Sequence, residues 1–119
     1  MSDLIVAVRV RGPVDVPDKV ESTMESLGLE SRNSCVLVDS ENEAVVGMLQ
    51  KVSNYITYGA VSDEVLEQFE DSKDVEAASG VNAGLHPPSG GFRDTRKHVN
   101  SGGTLGMRES MDDLLSDML

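Results

Sequence analysis

The chain has 119 residues, with 21 Asp and Glu against 10 Lys and Arg for a net charge of -11, and only 3% aromatics. That length supplies one core and not two, built from Val, Leu, Ile, Met and Ala, and the single Cys35 excludes an intramolecular disulfide and suits a reducing interior. No apolar run approaches the ~20 residues of a membrane span and no signal peptide is apparent, so the expectation is a soluble cytoplasmic protein.

Leu4 to Arg11 alternates, with Leu4, Val6, Val8 and Val10 on one face and Ile5, Ala7, Arg9 and Arg11 on the other. Period two with Val and Ile predicts a strand with one buried face. The second face ends in two guanidinium groups, predicted side by side on an uncovered sheet surface, and Gly12-Pro13 stops the strand. Asp15 to Leu27 reads as a helix, with Asp15 as cap, Pro17 in the first turn, and Val20, Met24 and Leu27 inward. Gly28 suits the left-handed residue that ends it.

Arg32-Asn33-Ser34 leads into Cys35-Val36-Leu37-Val38, a short apolar run that suits a strand buried on both sides. Cys35 is then a small core residue, since no His and Asn or Asp partners stand in a pattern that would make it a nucleophile. A second helix, Glu43 to Asn54, turns Val45, Met48, Leu49 and Val52 inward. Gly47 inside it costs ~1 kcal/mol relative to Ala. The missing side chain serves either close helix–sheet packing or the approach of a phosphate or sugar to the backbone. Tyr55 to Tyr58, closed by Gly59, is a third strand, so residues 1–60 read β-α-β-α-β.

Ser62-Asp63-Glu64 opens a short helix with Val65, Leu66 and Phe69 against the body, and Glu70 to Asn82 reads as an acidic linker, giving a second segment at 61–82. Residues 83–108 are a coreless arm with Pro87-Pro88, Gly90-Gly91 and Gly102-Gly103. Its four Lys and Arg (Arg93, Arg96, Lys97, Arg108) against the lone Asp94 give a local balance of +3. Over 109–119, Ser110 caps a last helix whose Met111, Leu114, Leu115 and Met118 need an apolar dock, in this chain or on a neighbour.

A basic, glycine-rich arm on so acidic a chain points to RNA. Arginine forks suit phosphates, and glycines let backbone N–H groups come close. Net charge of -11 opposes this unless salt screens it: at 1 M salt the Debye length is ~3 Å. The surplus of acid and the use of only four lysines match a salt-adapted surface. A metal site at His86 and His98 lacks company, because the two are twelve apart in a basic loop. The glycines form no Walker or dinucleotide pattern. No nucleophile–base or carboxylate pair has the frame of an enzyme site, so neither catalysis, cofactor nor small-molecule substrate is expected.

Residues 1–60 resemble the large-subunit ribosomal protein L-thirty family, called L-seven in eukaryotes. The carriers are Val8-Arg9-Val10-Arg11-Gly12, Leu27-Gly28-Leu29, Arg32-Asn33, and Val46-Gly47-Met48-Leu49-Gln50-Lys51-Val52. Pro87 to Gly91, His98-Val99, Gly102 to Gly106 and Arg108-Glu109 follow in the order of the long archaeal and eukaryotic form. The resemblance implies an α+β, ferredoxin-like β-α-β-α-β core, with three antiparallel strands and two helices on one face. It implies a structural role on large-subunit rRNA beside neighbouring ribosomal proteins. By position, the rRNA-facing residues are Arg9, Arg11, Gly12, Arg32, Asn33, Gly47 and Lys51 in the core. In the arm they are Gly90, Gly91, Arg93, Arg96, Lys97, His98, Gly102, Gly103 and Arg108. Two departures, Val46 where the family is usually basic and Ser89 where long forms often have Arg, each remove a phosphate contact. The acidic surface resembles members from salt-loving archaea. The alternative is a free-standing ferredoxin-like ligand-binding or protein-interaction module, dimerising through its sheet or last helix.

Overall fold

The computed structural model describes residues 4–11, 16–29, 31–73, 80–85 and 105–119. The elements run β1 (Leu4–Arg9), α1 (Asp18–Leu27), β2 (Ser34–Asp39), α2 (Glu43–Lys51), β3 (Ile56–Ala60), α3 (Asp63–Lys73), β4 (Asn82–Gly84), β5 (Gly106–Ser110) and α4 (Asp112–Met118). The α+β class and the β-α-β-α-β core are as expected.

The sheet has five strands rather than three, in the order β4-β2-β1-β3-β5. β1 is antiparallel to β2 and β3, as the ferredoxin-like reading requires. β4 adds antiparallel to β2, and β5 adds parallel to β3 with a register shift at Gly59/Ala60. The two extra strands come from the ends of the stretch read as an arm. Asn82-Ala83-Gly84 has almost no intrinsic strand preference, and its pairing with Ser34, Cys35 and Val36 supplies the order.

The sheet is a middle layer with helices on both faces. On one side Ala7, Val36, Val38, Ile56 and Tyr58 pack with Met24 and Leu27 of α1 and Leu49 of α2. On the other, Val6, Val8, Cys35 and Leu37 pack with Val65 and Phe69 of α3 and Leu115 and Met118 of α4. The expected pair of helices on one face is thus matched by a second pair opposite, so β1 is buried on both faces. That second pair needs the last helix, whose apolar stripe docks within the chain itself, and Ser116 Oγ bonds Gln68 Oε1 at 2.7 Å across to α3.

Element ends differ from expectation by a few residues. Asp15 lies outside the described residues, and α1 begins only at Asp18, after Pro17. Gly28 does end it in the left-handed region, at φ 82°. A Cβ there would also collide with the Asn82 side-chain amide, so both backbone and space call for glycine. α2 stops at Lys51, capped at its start by Asn42, whose side chain accepts from Val45 N at 3.3 Å. α3 runs through Lys73 into the stretch read as linker. Ser110 closes β5 instead of capping α4, its Oγ accepting from Asp112 N at 3.2 Å.

Candidate nucleic-acid interface

Register decides which loops share an end of the sheet. Arg9 of β1 stands opposite Ile56, Val8 opposite Cys35, Ser34 opposite Gly84, and Thr57 opposite Gly106. The exit of β1, the entries of β2 and β3, the exit of β4 and the entry of β5 therefore share one end. Arg11, Arg32, Asn33 and Tyr55 lie there. So do Leu85 and Leu105, the two roots of segment 86–104. Lys51, at the end of α2, leads into the same end through the 52–55 turn.

The opposite end gathers acid. Asp39 closes β2, Glu41 and Glu43 follow it into α2, Asp63 and Glu64 open α3, and Asp112 and Asp113 open α4. β1 crosses the sheet in six residues, which at about 3.3 Å each puts the two ends about 17 Å apart.

Arg9 corrects the expected uncovered basic face. It is completely buried, with Nη1 and Nη2 on the two carboxylate oxygens of Glu21 at 2.9 and 2.8 Å. Nη1 also donates to Leu29 O at 2.8 Å and Nε to Arg11 O at 2.8 Å. The covered face leaves it no water, so paired partners must supply every bond the guanidinium needs. Hydrogen bonding from Arg9 holds the Glu21 carboxyl below the usual carboxylate range, against the opposing pull of burial. Arg9 and Arg11 thus have different neighbours and different work, and Arg9 leaves the exposed set.

Arg11 is half-buried, its guanidinium carbon 5.1 Å from the centroid of the Tyr55 ring. Arg32 is exposed and donates from Nε to Val10 O at 3.1 Å. Lys51 is exposed at the last turn of α2. Among the described residues none of these three makes an ion pair, on a chain with two acids for every base.

Asn33 is a non-glycine residue in the left-handed region, at φ 67°, which Asn tolerates better than most residues. Its N–H donates to Arg9 O at 2.9 Å and its carbonyl accepts from Leu85 N at 2.9 Å, tying the arm's root to the strand ends. Among the described residues its buried side-chain Oδ1 has no hydrogen-bond partner, leaving an acceptor open near Leu85. Gly47 is half-buried, and a Cβ built on it meets nothing within 4 Å. Close packing against the described residues therefore does not account for the glycine.

Gly12, Gly90, Gly91, Arg93, Arg96, Lys97, His98, Gly102 and Gly103 lie outside the described residues, as do His86 and Ser89. Arg108 pairs with Gly59 through its backbone in β5. Cys35 is a core residue whose thiol burial pushes up to about 11, so it offers no nucleophile at neutral pH. Among the described residues no group of His, Cys, Asp and Glu could hold a metal. Sequence reasoning missed Tyr55 as a member of this end. The available signal was an aromatic residue at the mouth of a strand that pairs with a basic strand end.

Comparison with known proteins gives one answer. Residues 5–56 match the family described as Ribosomal protein L30p/L7e. A protein of Methanobrevibacter smithii named Large ribosomal subunit protein uL30 is 31% identical over 98% of this chain and 100% of its own length. A protein of the same name from Staphylothermus marinus is 29% identical, with both chains covered in full. That match runs over 164 aligned positions and is therefore gapped against the 119 residues of this chain. One from Halobacterium salinarum is 41% identical over 62% of this chain and 47% of its own.

Proposed function

The chain belongs to the ribosomal protein L30p/L7e family, and from that premise we propose that it holds folded large-subunit rRNA at the Arg11 end of its sheet. The family is structural and non-enzymatic, and this chain is a structural constituent of the large ribosomal subunit. Its place is the cytoplasmic ribosome, and no helix among the described residues is long and apolar enough to cross a membrane.

One observation carries the proposal: among the described residues Arg11, Arg32 and Lys51, none of them in an ion pair, share one end of the sheet with both roots of the basic segment, where the first-turn acids of α1 are Asp18 and the Arg9-paired Glu21, while Asp39, Glu41, Glu43, Asp63, Glu64, Asp112 and Asp113 gather at the other. Phosphate and sugar contacts position a protein on folded RNA, and shape is what such a protein mostly reads. Arg11, Arg32 and Lys51 supply cations from the described residues. Asn33 supplies an open acceptor and Gly47 a stretch of helix on which nothing stands in the way of a backbone. Gly12, Gly90, Gly91, Arg93, Arg96, Lys97, His98, Gly102, Gly103 and Arg108 complete the proposed surface. Arg9 serves it indirectly, by fixing where β1 ends.

This polarity answers the puzzle of an RNA-binding protein at -11. The acidic end lies about 17 Å from the basic one, about two Debye lengths at physiological salt and more in concentrated salt. Repulsion from that end is spent before it reaches RNA at the other. The free-standing module reading loses one of its two interfaces, because the apolar stripe of α4 is already covered by this chain's own core.

The test is sucrose-gradient fractionation of a native lysate with each fraction probed for the chain. Migration with the large subunit, lost after RNase treatment, is the expected result. Confinement to the light fractions would overturn the proposal.

A further inference from the structure

At the proposed rRNA-binding end, Arg11 differs from its neighbours in what it touches. Arg9 is spent on Glu21, and Arg32 on a carbonyl. The guanidinium of Arg11 lies over an aromatic ring, with no hydrogen bond or ion pair among the described residues. On a chain with 21 acids that is an unusual choice of partner, and the ring beneath it is firmly held. The Tyr55 carbonyl accepts from both Val10 N and Arg11 N, at 3.0 and 3.1 Å, and its own N–H donates to Val52 O at 2.9 Å. The ring itself rests against the core cluster of α1, α2 and the sheet.

We propose that Arg11 and Tyr55 form a stacking platform that receives an unpaired RNA base on the outer face of the guanidinium. The inference rests on the rRNA-binding reading and adds the ligand's chemistry, a nucleobase in place of a phosphate. A guanidinium is planar and weakly hydrated, and it stacks on aromatic faces. RNA-binding proteins commonly take splayed bases on arginine planes and on tyrosine rings. Tyr55 orients the plane before RNA arrives, so little side-chain freedom is lost on binding. The acidic composition strengthens the argument. Phosphate contacts gain much of their free energy from counterion release, which fades as salt rises. Stacking does not depend on that release. A protein whose surface is suited to salt keeps its grip best through contacts of this second kind.

The experiment measures binding of the full chain to deproteinised large-subunit rRNA from its own cells across a salt series. The wild type is compared with Arg11→Lys, Tyr55→Leu, Tyr55→Phe and Lys51→Gln. Arg11→Lys keeps the charge and removes the plane. It should weaken binding about five- to a hundredfold, the range of one lost stacked base, with the salt slope unchanged. Tyr55→Leu should weaken binding with no change of charge at all, and Tyr55→Phe, which keeps the ring, should bind as the wild type does. Lys51→Gln should instead flatten the slope by about 0.7–0.9, the signature of one lost phosphate contact.

Arg11→Lys binding within twofold of the wild type would overturn the platform and leave the rRNA reading standing. A wild type that binds no rRNA would overturn both. Ultraviolet cross-linking with peptide mass mapping gives a second readout that does not depend on the stability of any variant. A base joined at Arg11 or Tyr55 supports the platform, and cross-links confined to other residues count against it.

Discussion

Arg9 and Glu21 face each other as a two-pronged pair, both guanidinium nitrogens on both carboxylate oxygens, joining the end of β1 to the first turn of α1. Arg9 is wholly buried and the Glu21 side chain a quarter exposed. Removing one member of a buried pair leaves the other charge stranded, typically at 3–5 kcal/mol. The carbonyls of Leu29 and Arg11 still serve Arg9, and water reaches Glu21. Glu21→Gln should therefore destabilise by roughly 2–3 kcal/mol, discounted from that range for exposure. Urea unfolding at constant salt checks it.

The same pair sets a pH dependence. Arg9 lowers the Glu21 pKa from its ordinary 4.5. A group with a depressed folded-state pKa contributes stability that is present above its unfolded value and lost as pH falls through the folded one. The gap in stability between the wild type and Glu21→Gln should hold from pH 7 down to about 4.5 and shrink below it. Unfolding curves of both proteins between pH 7 and pH 3 would reveal a constant gap if the pairing were unimportant.

Gly47→Ala should change stability and binding in opposite directions. In the free protein the new methyl meets none of the described residues and fills a helix-interior position, for a gain of about 0.5–1 kcal/mol. On rRNA it should weaken binding, because it stands where the proposed approach occurs. A thermal melt and a binding titration on the same preparation measure the two effects.

Cys35 should resist alkylation in the native state. With its pKa at about 11, the thiolate fraction at pH 8 is about a hundredfold below that of a free cysteine near 8.5–9, and its complete burial slows access further. Iodoacetamide labelling should be slow in buffer and fast in guanidinium chloride. Equal rates in both would contradict the packing.

Twenty-one acidic groups repel one another when unscreened. The melting temperature should rise by roughly 5 °C or more between 0.1 M and 3 M salt. A melt unchanged over that range would show that the acid contributes nothing to the compact state's instability.

The first 60 residues were readable because β1, α1 and α2 carry their own periods, and β2 is a short apolar run between polar turns. Val6 and Val8 against Ala7, and Val45, Met48 and Leu49, say which way they face without help. β4 and β5 were not readable for the opposite reason. Asn82-Ala83-Gly84 becomes a strand only because β2 lies beside it, and no local pattern records a neighbour 48 residues back. Arg9 was misplaced on similar grounds. Alternation tells which face a side chain is on but not whether Glu21, twelve residues later, waits on that face to neutralise it. The basic character of the Arg11 end was legible in part, since Arg11, Arg32 and Lys51 were picked out singly. Their meeting at one end depends on strand register, which the chain order alone does not give.

The roots of segment 86–104 sit on the outermost strands, β4 and β5, with three strands between them. At about 4.8 Å per strand the two anchors stand about 19 Å apart, and Leu85 and Leu105 are both buried. The chain therefore leaves the sheet at one edge strand after Leu85 and rejoins it at the other edge at Leu105. Anchors on both edge strands, at the end where Arg11 and Lys51 lie, raise the effective concentration of the segment at any RNA held by the proposed surface. Cutting the chain once within 86–104 should then cost far more affinity than its lost contacts would suggest, since every charge would remain and only the tether would be gone.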